Sequence, residues 1–229
     1  MGSQQGNLMD AWQLVRPRQF EKVRTPVPRP QNDQDVVLRT IGGAICGSDL
    51  PYFDGAVSSL FDDSKQLAAG VPGYPLHEVV GEVLHSNAPE LPIGSVAVGW
   101  ATDCNAIAEQ TRTRASSLAR VTDGVLATMT PQDAVMLQPL ACVLDTMERL
   151  GPVAGKHVGV IGLGGFGLLF AHAARTLGAS RVTGVDPLDR SDFAVDFGLD
   201  VALPSRSDRW ARSLASEDRP EVVIEVVGH

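Results

Sequence analysis

Cysteine is scarce in this chain. Three residues in 229, Cys46, Cys104 and Cys142, are too few and too scattered for a disulfide framework, so a reducing, cytoplasmic setting is expected. Basic clusters are missing as well. With 19 Lys and Arg against 27 Asp and Glu, the net charge is −8, which argues against a nucleic acid or an anionic membrane as partner. No uninterrupted apolar run is long enough for a membrane span, because "HVGVIGLGGFGLLFAHAA" is broken by five glycines and two histidines. The opening "MGSQQGN" lacks the basic and apolar regions of a signal peptide and reads as a disordered lead-in. Internal repeats and low-complexity segments are absent too. What remains, 44% hydrophobic and 20% charged, is an ordinary globular composition of one large or two small domains.

Two textures divide it. Up to about residue 125, short β-like runs alternate with Pro, Gly and Asp: "DVVLRT" (35–40), "HEVVGEVL" (77–84), "GSVAVGW" (94–100) and "AIAEQTRTRA" (106–115). This predicts a compact, barrel-like β module, with a long connection over 52–75. A helix is expected from Thr130, with Pro131 at its first position, a break near Gln138 ahead of Pro139, and Gly151 at its end. From residue 156 the pattern becomes β–α–β. "KHVGVIG", "RVTGVD", "DVALP" and "EVVIEVVG" are expected strands; helices are expected over "GFGLLFAHAARTLG", "SDFAVDFG" and "SDRWARSLAS". Such alternation implies a parallel sheet with crossover helices. The domains expected are therefore 8–150 and 151–229.

In the second domain "GLGGFG" places Gly162, Gly164 and Gly167 at G-x-G-x-x-G spacing, with Gly165 and Phe166 between. The pattern alone is weak. Here an apolar strand leads in, a helix leads out, and the next strand ends in Asp186, 19 residues after Gly167. Gly162 permits the turn, Gly164 admits a pyrophosphate to the backbone, and Gly167 lets helix and strand pack. Asp186 would accept from ribose hydroxyls and repel a 2′-phosphate, which favours NAD over NADP. The plain alternative is a glycine-rich turn that binds nothing.

In the first domain "GGAICGSDLPYF" sets Cys46 among glycines, followed by Ser48 and Asp49; 31 residues after Cys46 comes "PLHEVVGEV", with His77 and Glu78. Thiolate and imidazole are good Zn²⁺ ligands, and Asp49 could take the ring N–H of His77 that is off the metal. Equally, Cys46 could be a packed thiol and His77 a satisfied histidine at a strand end.

In order, "CGSD", "HEVVGEV", "QPLACV", "GLGGFG" and a strand-end Asp resemble the medium-chain zinc-dependent alcohol and polyol dehydrogenases, in texture the sorbitol and threonine dehydrogenase branch. The resemblance runs from about residue 10 to the end. It implies an α/β architecture: a GroES-like β-rich catalytic domain plus a Rossmann domain, the latter truncated after its fourth strand. Cys46 and His77 match zinc ligands, Glu78 the neighbouring acid, Ser48 the hydroxyl that takes the alcohol proton, and Asp49 the carboxylate behind the histidine. Gly162, Gly164, Gly165, Phe166, Gly167 and Asp186 match the NAD positions. The function implied is hydride transfer between a secondary alcohol, polyol or cyclitol and NAD, with Zn²⁺, in a homodimer or homotetramer.

Several positions depart from that pattern. The family's third ligand position falls on Gln138, whose amide suits hydrogen bonding to a zinc-bound water, as a weak or outer ligand; Glu78 or Cys142 could complete the set instead. Pro51 replaces a proton-relaying histidine. The region of a four-cysteine structural zinc lobe offers only Cys104. These changes keep open an NAD-binding protein of the same fold without zinc catalysis, whereas Cys46 and His77 argue against a zinc-free quinone or enone reductase.

Overall fold

The computed structural model describes residues 7–55 and 70–227. The chain divides into two compact units, 1–138 and 139–229.

The first unit opens with an antiparallel hairpin, β1 (Leu8–Arg16) and β2 (Gln19–Pro26), which the local sequence pattern does not announce. Five further strands, β3 (Asp35–Ala44), β4 (Glu78–His85), β5 (Val96–Trp100), β6 (Gln110–Arg114) and β7 (Leu118–Arg120), form an antiparallel sheet in the order β6-β3-β4-β5-β7. Successive side chains on a strand point to opposite faces, and β4 uses both. Val79 and Val83 enter one core with Val36, Leu38, Leu91 and Ala97. Val80 enters another with Val98, Val121, Ala134 and Val135. Fully buried, each valine contributes about 1.5–3 kcal/mol. This double burial holds β4 in register, so its first residue has a fixed place. A single turn, α1 (Leu50–Phe53), follows the cysteine segment; a second, α2 (Asp123–Leu126), precedes the expected long helix.

That helix differs from expectation. Thr130 does bond forward: its hydroxyl accepts from the Asp133 N–H at 3.2 Å and donates to the Asp133 carboxylate at 2.6 Å. The 3-10 turn that follows, Asp133–Met136, has Gln132 at its own N-cap position, so Thr130 bonds to its first residue from further back, and α3 runs unbroken over Leu137–Leu150. Pro139 stands third in α3, in the first turn, where backbone N–H groups have no intrahelical partner to lose. The discontinuity therefore falls before Leu137, not at Pro139. Val143 and Met147 of α3 pack into the core of the second unit, although a division at residue 150 would assign them to the first.

The second unit contains β8 (His157–Ile161), α4 (Gly165–Thr176), β9 (Arg181–Asp186), β10 (Val201–Pro204), α5 (Ser207–Ser213) and β11 (Val222–Glu225). Its strands are parallel in the order β10-β9-β8-β11. From β8 the chain builds outward to β10, then returns to lay β11 on the opposite side. Strand order reverses beside β8, and the crevice at such a switch point is where open α/β sheets bind ligands. One expected helix fails: 191–198 holds only a 3-10 turn, Ser191–Phe193. Phe193 and Val195 remain exposed there, and only Ala194 and Phe197 are turned inward, on the core and on the His172 ring, so the segment buries too little apolar surface to carry a longer helix. Among the described residues no helix is long and apolar enough to cross a membrane.

Candidate metal centre and dinucleotide turn

β3 ends at Ala44, and the chain turns through Cys46 into α1, for which Asp49 is the N-cap and Pro51 a first-turn residue. The position where a relay histidine was sought thus serves the local backbone. The Asp49 N–H donates to the Cys46 carbonyl at 2.9 Å, and the Cys46 N–H donates back to Asp49 Oδ2 at 2.9 Å. Asp49 Oδ1 meets His77 Nδ1 at 2.6 Å. One buried carboxylate therefore ties the cysteine turn to the histidine at the mouth of β4. With Nδ1 so engaged, Nε2 is the nitrogen left for a metal.

The donor atoms of Cys46, His77 and Glu78 all lie within 4.8 Å of one another. Their electrostatics suit a cation. His77 hydrogen-bonds to the Cys46 sulfur and holds its thiol below the usual range, aided by the Ser48 hydroxyl and opposed by burial. Burial works against charge on His77, yet hydrogen bonds to Asp49 and Cys46 raise it to about 10. Burial pushes the Glu78 carboxyl up, despite the nearby histidine. Sulfur, imidazole and carboxylate at this separation, with the histidine held from behind, fit Zn²⁺. Ser48 is exposed beside this cluster.

Gln138 is the second residue of α3 and the last of the first unit, and Cys142 belongs to the second. Cys104 stands in the β5–β6 connection at φ +51, its N–H on the Ala101 carbonyl. Of the expected 52–75 connection, residues 56–69 lie outside the described residues. Sequence reasoning overlooked Trp100, whose indole meets the His77 ring edge to face with centroids 5.6 Å apart. The one available signal was its place at the end of the strand that pairs with "HEVVGEV".

In the second unit, the turn after β8 carries Gly162 at φ +90, a left-handed conformation that glycine adopts without strain. A Cβ on Gly167 would lie 1.8 Å from the Gly162 carbonyl oxygen, so turn and helix meet only because that residue has no side chain. Gly164 and Gly165 face open space. Gly164 is the N-cap of α4 and caps without a side chain, which leaves first-turn N–H groups available to an anion; Phe166 lies among them. Asp186 ends β9 and accepts from the Leu163 N–H and the Leu188 N–H, each at 2.8 Å. Each carboxylate oxygen keeps a second lone pair. The cradle fits a dinucleotide's pyrophosphate and ribose.

No family model matches the chain. L-idonate 5-dehydrogenase (NAD(P)(+)) of Escherichia coli K12 is 26% identical over 226 residues, covering 86% of this chain and 64% of that protein. A zinc-type alcohol dehydrogenase-like protein of Haemophilus influenzae is 26% identical over 248 residues, covering 94% of this chain and 68% of its own. Among solved structures, galactitol-1-phosphate dehydrogenase of Escherichia coli superposes with a TM-score of 0.77 at 18% identity, over 96% of this chain and 69% of that one. This chain thus spans about two thirds of the length of the proteins it resembles.

Proposed function

We propose that this relative of the zinc-type medium-chain alcohol and polyol dehydrogenases takes part in oxidising a small secondary alcohol or polyol, or in reducing the corresponding ketone, with NAD as the redox partner. The observation that carries the reading is the meeting of Cys46, His77 and Glu78 within 4.8 Å, with Asp49 behind the histidine. Those three side chains would hold the zinc, with Gln138 as an outer or weak ligand. The glycine turn and Asp186 would hold the dinucleotide. When bound, zinc supplies Lewis acidity toward a substrate oxygen and NAD accepts the hydride.

The chain's own residues supply the rest. Asp49 holds a proton on Nδ1, so the proton that His77 gives up to bind zinc comes from Nε2. Ser48 Oγ, exposed and donating a hydrogen bond to the Cys46 sulfur, would accept the substrate hydroxyl proton as its own hydroxyl proton turns from that sulfur to water. First-turn N–H groups of α4 receive the pyrophosphate, and Asp186 receives ribose hydroxyls in preference to a 2′-phosphate. A homodimer or homotetramer is the assembly in keeping with this reading.

The test is Cys46→Ser in the full chain, assayed against a panel of secondary alcohols and polyols with NAD and by zinc content. Loss of zinc and turnover with NADH binding retained is the expected result. Undiminished turnover in the variant would overturn the zinc reading. Pro51 in the α1 turn and Gln138 at the ligand position favour one competitor, an NAD-binding protein without zinc chemistry. NADH binding by a wild-type protein that takes up no zinc would select it.

A further inference from the structure

We infer that Trp100 is a positioning residue for the metal centre, setting the angle at which the His77 imidazole presents Nε2 to Cys46 and Glu78. The inference rests on the reading that these three side chains take a zinc. The two rings stand edge to face, with centroids 5.6 Å apart and planes at 87°. That arrangement is built into the sheet. Trp100 is paired with Glu78 across β5 and β4, and the next N–H, of Ala101, donates to the His77 carbonyl at 2.8 Å. Both ring-bearing residues are therefore fixed through their backbones on neighbouring strands.

Asp49 pins one corner of the imidazole, at Nδ1. The ring also hydrogen-bonds to the Cys46 sulfur, a contact it gives up when Nε2 takes a metal; Asp49 is then a pivot, and a ring held at one corner can still swing its opposite nitrogen. An aromatic neighbour at a right angle blocks that swing, because a tilted ring would lose the preferred T-shaped geometry or collide. Two restraints on different sides leave one orientation. The exposure of Trp100 supports this role: at 49% exposed, the indole is not there to fill a core. Its flank neighbours Val98 and Ala101, at 6% and 1%, serve that purpose.

The test uses the full chain with Co²⁺ as the metal probe, read by its ligand-field and thiolate charge-transfer bands, and by tryptophan emission. The chain has three tryptophans, Trp12, Trp100 and Trp210. In wild type, Co²⁺ should quench part of the emission. Trp100→Phe should abolish most of that quenching while keeping Co²⁺ affinity within about twofold, because an edge-to-face ring survives. Trp100→Leu should weaken Co²⁺ binding about twofold to tenfold, the size of one aromatic pair, and shift the ligand-field bands while NADH binding stays unchanged. A purely structural role would lower stability without moving those bands. Wild-type affinity and bands in folded Trp100→Leu would overturn the inference and leave the zinc reading standing. Absence of Co²⁺ binding by wild type would overturn both. Should Trp100→Leu fail to fold, Trp100→Thr, a good strand former, decides on the same readouts.

Discussion

Asp49→Asn isolates the carboxylate on which the proposed zinc site depends. Asp49 is 3% exposed, and both its oxygens accept: Oδ1 from His77 Nδ1 at 2.6 Å and Oδ2 from the Cys46 N–H at 2.9 Å. Asparagine keeps the shape but offers one acceptor and one donor. If its oxygen faces His77, its NH2 group opposes the Cys46 N–H, and the cysteine turn loosens. If its NH2 faces His77, Nδ1 must become an acceptor. The ring proton then moves to Nε2, the nitrogen meant for the metal. Either orientation costs the zinc site. Outer partners of metal-bound histidines are worth about 10–100-fold in metal affinity, and that loss is expected here. A hydrogen bond to a charged group contributes about 1.5–3 kcal/mol, so the metal-free fold should lose stability on that scale. Zinc affinity is measured by competition with a chromophoric chelator, stability by urea unfolding in excess chelator, and NADH binding by fluorescence as a control on the second unit. A zinc affinity within twofold of wild type would refute the argument that Asp49 sets the histidine's tautomer.

Two glycine substitutions separate structure from binding in the dinucleotide turn. Gly167→Ala sets a methyl group against the Gly162 carbonyl and should lower thermal stability by about 1–3 kcal/mol, as overpacking does, along with NADH binding. Gly164→Ala meets nothing within 4 Å and should leave the melting temperature unchanged while NADH binding falls about tenfold, roughly 1.4 kcal/mol. Unaltered NADH binding in Gly164→Ala would mean that no pyrophosphate approaches there. The metal-free centre should also depend on pH. His77 is raised from 6.5 to about 10, so its stabilising contribution is complete below 6.5 and is lost as pH climbs through about 10. Cys46 is shifted the opposite way, and its contribution is present above 9.0 and lost as pH falls through its lowered value. Zinc must displace the His77 proton, so its affinity should rise with pH up to about 10; a flat profile in calorimetry with no proton release would contradict this pairing.

Local chemistry sufficed for much of this molecule. The run "HEVVGEVL" announces a strand, and strand, glycine turn, helix and acid announce a parallel sheet of Rossmann type, because each signal depends on near neighbours. Cys46, Ser48 and Asp49 form a single turn of chain, so their association with one another needed no fold. Their meeting with His77 and Glu78 did. It arises because β3 and β4 pair antiparallel with Ala44 opposite Glu78, a register set by which faces the valines bury. The pairing of β4 with β5 in turn carries Trp100 to His77, a contact between residues of unrelated spacing that no local pattern encodes. Tertiary context also decided the failures. Pro139 was compatible with a helix once a 3-10 turn ended before it, and 191–198 buries too little apolar surface for a longer helix. Residue types and turns are local chemistry, legible from the sequence alone; which distant side chains share a site is decided by the burial that aligns the strands.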